Sequence, residues 1–301
     1  MSALKGLAWI VLAFVPIPAL RAEAHCPGNV ASVPLHLVNG YQIIVSVSID
    51  NSVPFDFLLD TGAQFTMIDP TLADELRLRA NGSVPVVGNG FRTKSSAVEL
   101  DRLDVGGHAI SHLEALEFDM QNIRPRYLSL RGILGEDFLQ QFDTLIDNGH
   151  RLLCLDDSDV LRTKLNGPHI PSQTTSDSTR MPQNSLILAV RLADSGKRIR
   201  LKLDSGANAP VLYNASWFKP IDLIDMNGTL QGTGANGSQN AYVALPPQDV
   251  EIESMHLHNV PFFAPTKDIS NTLDFDGLLP ITRFRRVFIC HTEHFVVLET
   301  Y

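Results

Sequence analysis

The chain has 301 residues, of which 44% are hydrophobic, and its formal net charge is −9 at pH 7. This length suffices for one large domain or for two domains of about 100–150 residues, each with its own core. No run of Lys or Arg interrupts the acidic balance. The positive footprint of a nucleic-acid-binding protein is therefore missing, and we expect no nucleic-acid partner.

Residues 1–24 predict a cleaved signal peptide. Lys5 supplies a short positive region, an apolar stretch follows it, and Ala22-Glu23-Ala24 fits the A-x-A cleavage pattern. The apolar stretch is shorter than the roughly 20 residues that span a bilayer, and two prolines interrupt it. We therefore expect a secreted or periplasmic protein that begins at His25 and has no stable membrane insertion after cleavage. An uncleaved membrane anchor is the alternative.

Strand patterns predominate after the signal peptide. Two apolar runs between residues 32 and 49 flank Asn39-Gly40, which is a strong hairpin signal. In the second run apolar residues alternate with serines and predict one buried face, made by Val45, Val47 and Ile49. Alternation also predicts strands from Leu186 and from Arg198. The helical signals are short, and the best of them start at Thr71 and Gly135.

The region between residues 158 and 184 differs from the rest of the chain. It is rich in Pro, Ser and Thr and has no apolar period, so it predicts an exposed polar linker. The linker separates an N-terminal lobe, residues 25–157, from a C-terminal lobe, residues 185–301.

The two sides of this linker resemble each other. Asp60-Thr61-Gly62-Ala63 recurs as Asp204-Ser205-Gly206-Ala207, which is 144 residues later. Gly88-Asn89-Gly90 recurs at the same offset as Gly232-Thr233-Gly234. The apolar segment from Gly132 recurs from Gly277. Three landmarks in one order at nearly constant spacing indicate a tandem duplication.

One aspartate from each half can bring two carboxyl groups together across a pseudo-twofold axis. Like charges about 3 Å apart do not both ionise, so the pair holds one proton. The ionised partner can act as general base on a water, and the protonated partner can polarise a substrate carbonyl. This chemistry needs no cofactor and no metal. The alternative, that both Asp-Thr/Ser-Gly segments are ordinary turns, leaves the joint recurrence of acid, hydroxyl, glycine and alanine unexplained.

The neighbouring residues suit such a pair. Gly62 and Gly206 permit a tight turn in which backbone N–H groups reach the carboxylates. Thr61 and Ser205 place a hydroxyl beside each acid, where the two loops can brace each other. Apolar residues before each aspartate predict strand ends anchored in the two cores.

The D-[ST]-G-A tetrapeptide after an apolar strand, the downstream G-[IL]-L-[GP] segment and the repetition together resemble the aspartic proteases. The size of each half and the segment GILGEDFL are most similar to the retropepsin-like branch of exported bacterial proteins, here fused as two repeats, and pepsin-like enzymes share the same bilobal plan. The resemblance covers about residues 30–301 without the linker.

The resemblance implies an all-β, bilobal acid-protease fold with two homologous β-barrel-like lobes related by pseudo-twofold symmetry. It implies an aspartic-type endopeptidase whose catalytic residues are Asp60 and Asp204, with an extended polypeptide as substrate. A monomer then suffices for a complete dyad. The implied flaps are the hairpins that follow Gly90 and Gly234, and their candidate residues are Gly88, Gly90, Phe91, Gly232 and Gly234. A non-catalytic member of the fold that binds a peptide or protein is the alternative function.

Some positions depart from the family pattern. Pro280 stands where the first half has Gly135, so we expect a distorted segment there. The flap tyrosine of pepsin-like enzymes is missing near Phe91, whereas Tyr242 lies in the second hairpin. Pepsin-like enzymes that work in strong acid usually have Ser or Thr after the Gly. Alanine at positions 63 and 207 removes that hydroxyl, which predicts raised dyad pKa values and a milder pH optimum than that of gastric pepsins.

The three cysteines left after signal cleavage are Cys26, Cys154 and Cys290. Export makes one disulfide plausible with one thiol left over, but the spacing does not select the pair. The same spacing does not suit a structural zinc site, and we expect His291 and His294 in a polar hairpin turn instead.

Overall fold

The computed structural model describes residues 24–88, 91–123, 130–175, 183–214, 230–234, 237–267 and 273–301. Nearly all of the predicted signal peptide lies outside the described residues. The described part of the chain is all-β, as predicted, and it includes a closed barrel of six strands.

The first half of the chain contains the hairpin and the short helices that the sequence predicts. Its strands are β1 (Ser32–Pro34), β2 (His36–Val38), β3 (Gln42–Ile49), β4 (Phe55–Leu59), β5 (Met67–Ile68), β6 (Ala80–Gly88), β7 (Phe91–Val105), β8 (His108–Glu117), β9 (Leu130–Leu134), β10 (Asp143–Asp147) and β11 (Leu152–Asp156). Its helices are α1 (Pro70–Glu75) and α2 (Glu136–Leu139). β2 and β3 pair on either side of Asn39-Gly40. In β3 the predicted apolar face is fully buried and Ser46 is exposed.

Among the residues described, strands β2–β9 of the first half form an 8-stranded sheet, and the strands of the second part form a 15-stranded sheet together with β1, β10 and β11. The second part of the chain contains α3 (Val160–Lys164), β12 (Ile170–Thr175), β13 (Gln183–Leu192), β14 (Arg198–Asp204), β15 (Val211–Leu212), β16 (Leu230–Thr233), β17 (Gln239–Ala244), β18 (Gln248–Ile252), β19 (Met255–Val260), β20 (Phe263–Pro265), β21 (Gly277–Pro280), β22 (Arg286–Cys290) and β23 (Phe295–Glu299). A short 3₁₀ helix, Ile281–Arg283, follows β21. In the described ranges no helix has the length and apolar character needed to cross a membrane.

The predicted linker is not uniformly irregular. It contains α3 and β12, and β12 pairs with β23 at one end and with β13 along the rest. β12 has polar side chains and therefore no apolar alternation by which the sequence could predict it. It still pairs as a strand because the pairing uses backbone groups, which any residue other than proline supplies in full.

Both halves have the same strand arrangement around their aspartate. β9 pairs in parallel with β4, which leads into Asp60, and antiparallel with β5, which follows it. β21 is placed in the same way between β14 and β15 around Asp204. Pro280 continues β21 in register opposite Asp204, so the distortion expected at this position is not found.

One end of the 15-stranded sheet joins the two halves. The strand order there is β1-β11-β10-β22-β23-β12. β10 of the first half pairs antiparallel with β22 of the second, and Leu145 lies opposite Phe288. Because this pairing connects the corresponding strands of the two halves, it fixes where each aspartate loop faces the other.

Candidate active site

The structure brings Asp60 and Asp204 together. Asp60 directly follows β4 and Asp204 ends β14. Each carboxyl group lies against the loop glycine of the other half, and the charges of the two carboxyl groups act on each other. Backbone N–H groups also donate to each of them. Asp60 Oδ1 accepts from Gly62 at 2.8 Å and from the next residue at 3.2 Å. Asp204 Oδ1 accepts from Gly206 at 2.7 Å and from the next residue at 3.0 Å.

The two glycines are needed for the close approach of the loops. A methyl group at Gly62 would lie 2.6 Å from the carboxyl carbon of Asp204, and one at Gly206 would lie 2.7 Å from Oδ2 of Asp60. Real side chains do not tolerate such distances, so each glycine lets the backbone of one half reach the carboxyl group of the other.

Thr61 and Ser205 interlock beneath the aspartates and are fully buried. The Thr61 hydroxyl donates to the carbonyl of Leu203 at 3.0 Å, and the Ser205 hydroxyl donates to the carbonyl of Leu59 at 2.6 Å. Each hydroxyl also accepts a hydrogen bond from the backbone N–H of the other residue, at 2.9 and 3.1 Å. These four bonds are reciprocal and hold the loops at a fixed separation, because every donor in one half has its acceptor in the other.

The electrostatics of the pair favour one shared proton. Burial raises the pKa of Asp60 to about 7, and the neighbouring charge of Asp204 adds to this effect. Burial also raises the pKa of Asp204, although the Lys202 ammonium opposes it. Two adjacent buried carboxyl groups whose pKa values are both raised can hold one proton between them, which is the condition for combined acid and base chemistry.

Side chains of the first half support the Asp60 loop from behind. The Asp137 carboxylate in α2 accepts from the Thr66 N–H at 2.8 Å and from its hydroxyl at 2.7 Å. The Thr66 hydroxyl in turn accepts from the Gly135 N–H at 3.2 Å. Burial raises the pKa of Asp137 to about 6. This clamp fixes the loop that contains Asp60.

The second half lacks this polar clamp. Pro210 and Pro280 occupy the positions that correspond to Thr66 and Gly135, so both the hydroxyl and the N–H are missing. The second half also has an apolar and aromatic cluster in which Tyr213 is buried. Burial raises the pKa of Tyr213 well above its ordinary value, and Asp204 contributes to this.

The flap candidates lie at hairpin tips. Gly88 ends β6 and pairs with Phe91, the first residue of β7, while Gly90 lies outside the described residues. In the second hairpin, Gly232 of β16 pairs with β17, and the Gly234 N–H donates to the carbonyl of Ser238 at 2.8 Å. Tyr242 of this hairpin packs on the cluster that contains Tyr213.

The cysteine and histidine predictions have mixed outcomes. Cys26 and Cys154 form a disulfide, and Cys290 is the buried free thiol. His291 and His294 lie in the β22–β23 turn, as predicted. Within this turn His291 is only 7% exposed, and its Nε2 lies 3.1 Å from Glu136 Oε2. In the described ranges no group of three or more His, Cys, Asp or Glu side chains is placed to hold a metal ion.

Sequence reasoning missed two residues beside the site. Lys202 precedes Asp204 by two positions. A comparison of the two repeats could have revealed it, because it is a charged residue at the position where the first half has Leu58. Asp137 could have been noticed as an acid in the short helix after Gly135, but its partner Thr66 is 71 residues away and only the fold brings them together.

A family model described as aspartyl protease matches residues 45–138, from β3 to α2, and this match includes Asp60. This match supports an assignment to the aspartyl protease superfamily. It likewise supports a hydrolase of the protease type. A comparison with curated proteins gives no match.

Proposed function

We propose that the protein is an exported aspartic endopeptidase that cleaves extended polypeptides through the dyad of Asp60 and Asp204. The proposal rests on the close approach of the two aspartate loops, in which each glycine lies against the carboxyl group of the other half and Thr61 and Ser205 bond reciprocally. The aspartyl protease match supports the reaction class. Because both aspartates come from one chain, a monomer suffices.

In the proposed mechanism Asp60 holds the shared proton and Asp204 is ionised. Asp204 takes a proton from a water between the two groups, and the water oxygen forms a bond to the scissile carbonyl carbon. Asp60 donates its proton to the carbonyl oxygen. Asp204 then gives its proton to the amide nitrogen, Asp60 takes a proton from one hydroxyl of the tetrahedral intermediate, and the C–N bond breaks. The products are a carboxylic acid and an amine, and the dyad again holds one proton on Asp60.

The loop geometry serves this reaction by preorganisation. The N–H groups of Gly62 and Gly206 each hold one carboxyl oxygen, which leaves the other oxygens for the water and the shared proton. Fixed donors around a catalytic group lower the reorganisation needed during the reaction. The Thr61–Ser205 interlock keeps the two carboxyl groups within reach of one water molecule.

The test is cleavage of a denatured protein from about pH 3 to about pH 7, with and without pepstatin. We expect cleavage by the wild type and inhibition by pepstatin. In Asp60→Asn and in Asp204→Asn the cleavage rate should fall by roughly 1,000-fold. Asp194→Asn is the matched control, because it neutralises an exposed turn residue between β13 and β14. Cleavage that survives in both dyad variants overturns the assignment. Binding of pepstatin without cleavage at any pH favours the non-catalytic, peptide-binding alternative.

Export has separate support. Residues 1–24 have the signal-peptide pattern, and the Cys26–Cys154 disulfide is of a kind that persists in oxidising compartments. The test is N-terminal sequencing of the protein recovered after expression with its leader, and we expect His25 as the first residue. Recovery of the uncleaved chain in the cytoplasm contradicts export without touching the dyad.

A further inference from the structure

Lys202 is a buried ammonium group beside the candidate dyad. It lies in β14 two residues before Asp204 and is 7% exposed. Side chains at positions i and i+2 of a strand project from the same face, so Lys202 and Asp204 lie side by side. A charged group at such a position is costly to bury unless it has polar and ionic partners.

The partners of Lys202 come from both halves of the chain. Its Nζ donates to the carbonyl oxygen of Gly62 at 2.7 Å, and the same Gly62 donates its N–H to Asp60. The ring of Phe275 lies on another side of the ammonium, at 5.4 Å from Nζ to the ring centroid. Lys202 therefore binds the Asp60 loop from the opposite half, and the ring of Phe275 shields its ammonium group.

The positive charge lies close enough to act on both aspartates. Gly62 packs directly on the Asp204 carboxyl group, so a group bonded to its carbonyl lies near both acids. The Lys202 charge lowers the pKa of Asp204 and that of Asp60, against the raising effect of burial. A dyad that holds one proton carries one negative charge, which the Lys202 ammonium balances.

This charge is present on one side only. The residue that corresponds to Lys202 in the first half is Leu58, which is 6% exposed and packs in an apolar cluster. The aspartate loops of the two halves are thus equivalent, but the residue two positions before the aspartate is charged in the second half and apolar in the first. A purely structural residue at this position could have been apolar, as Leu58 is.

We infer that Lys202 is a positioning residue for the dyad, which fixes the Gly62 carbonyl and supplies a positive charge that favours an ionised carboxylate in mild acid. The inference rests on the proposed function of Asp60 and Asp204. It assigns to Lys202 a control over the pH range of the reaction and no direct contact with the reacting atoms.

Lys202→Met removes the charge and leaves an apolar chain of similar length. We expect both limbs of the pH–rate profile to move to higher pH, by about one pH unit, because an opposite charge at this range favours the ionised form. Lys202→Arg keeps the charge and should restore the limbs towards the wild type. Arg198→Met is the control: it removes a positive charge from the exposed start of the same strand and should leave both limbs in place.

A second readout does not depend on cleavage. ¹³C NMR of protein labelled at the aspartate carboxyl carbon follows the titration of the dyad, with Asp60→Asn and Asp204→Asn to assign the signals. We expect the dyad of Lys202→Met to titrate at higher pH than that of the wild type. Lys202→Gln gives a second uncharged variant if Lys202→Met does not fold.

The outcomes separate the two claims. The role of Lys202 is overturned if the dyad of a folded, uncharged variant titrates at the same pH as that of the wild type. It is also overturned if the limbs of the pH–rate profile lie at the same pH in Lys202→Met and in the wild type. A shifted titration in a protein that cleaves nothing supports the role of Lys202 and contradicts the proposed function. A rate that falls equally at every pH, with no shifted limb and no shifted titration, leaves Lys202 a structural role only and also overturns the inference.

Discussion

Asn148 and His291 occupy corresponding places in the two halves and each bonds to the opposite half. Asn148 follows β10, and its Nδ2 donates to the carbonyls of Ile281 and Phe284 at 3.2 and 2.9 Å. His291 follows β22, and its Nδ1 lies 2.7 Å from the Phe142 carbonyl. Each turn thereby fastens the short helix behind the other half's aspartate loop, but only the His291 contact titrates.

His291 should make stability depend on pH. Burial alone would lower its pKa, but the hydrogen bond and charge of Glu136 raise it above the ordinary value, and Asp143 adds to this. A histidine whose folded pKa is raised stabilises fully below its unfolded pKa, about 6.5, and this stabilisation is lost as pH rises through the folded pKa. We therefore expect His291→Gln to lose more free energy of unfolding at about pH 5.5 than at about pH 8, measured by urea denaturation.

The control for this prediction is Asn148→Ala, which removes the corresponding contact without a titrating group. It should lower the free energy of unfolding by about 1–3 kcal/mol at both pH values, because two buried carbonyls lose their donor. An equal loss for His291→Gln at both pH values contradicts the prediction.

The Asp137–Thr66 clamp should stabilise the Asp60 loop. Asp137→Ala leaves the Thr66 N–H and hydroxyl without their acceptor, and we expect a loss of about 1–3 kcal/mol in the free energy of unfolding together with slower cleavage. Chemical denaturation and kcat/KM measure the two effects. Thr282→Ala changes the corresponding position of the second half and should cost less than about 0.5 kcal/mol, since no such clamp exists there. Equal losses in the two variants argue against a special role of the clamp.

The alanines after the two glycines should set the working pH. Ala63 donates only its backbone N–H to Asp60, at 3.2 Å. Ala63→Ser adds a hydroxyl that can donate to the ionised carboxylate, which lowers its pKa, so the acidic limb of the pH–rate profile should move to lower pH. The wild type should work best in milder acid than gastric pepsins do. A wild-type maximum near about pH 2, lost by about pH 5, contradicts the argument, as does an unchanged limb in the variant.

The disulfide should contribute strongly to stability. Cys26 and Cys154 are separated by 128 residues, so the bond restricts a long loop of the unfolded chain. We expect Cys26→Ala/Cys154→Ala to lower the free energy of unfolding by about 2–4 kcal/mol. Cys290→Ala, which keeps the bond, should lose less.

Thiol titration checks the same pairing. Burial raises the pKa of Cys290 to about 11, so the native protein should react slowly with a disulfide reagent. After unfolding without reductant a single thiol should react. Three reactive thiols in the unfolded protein would exclude the disulfide.

Local patterns predicted the elements well, because their causes are local. The Asn39-Gly40 hairpin, the buried face of β3 and the two short helices follow from turn chemistry and from periods of two and 3.6 residues. The position of the two aspartate loops followed from their repetition and needed no knowledge of side-chain contacts.

The remaining features depend on distant partners. Lys202 and Gly62 are 140 residues apart, and Cys26 could have paired with either of two cysteines. β12 has a polar sequence and becomes a strand because β13 and β23 offer it edges to pair with. β21 stays in register through Pro280, where the first half has Gly135. Gly135 donates its N–H to Thr66, whereas Pro210 replaces that threonine in the second half, so the N–H that proline lacks has no corresponding acceptor.

The asymmetry between Lys202 and Leu58 has a consequence for assembly. In a symmetric dimer of identical halves, every substitution next to the dyad appears twice, so the number of added charges is always even. Two copies of the first half would bring no ammonium group, and two copies of the second would bring two. A single chain with unlike halves can place one cation beside one carboxylate. An arrangement with Lys202 on one side and Leu58 on the other therefore requires that both lobes be encoded in one chain.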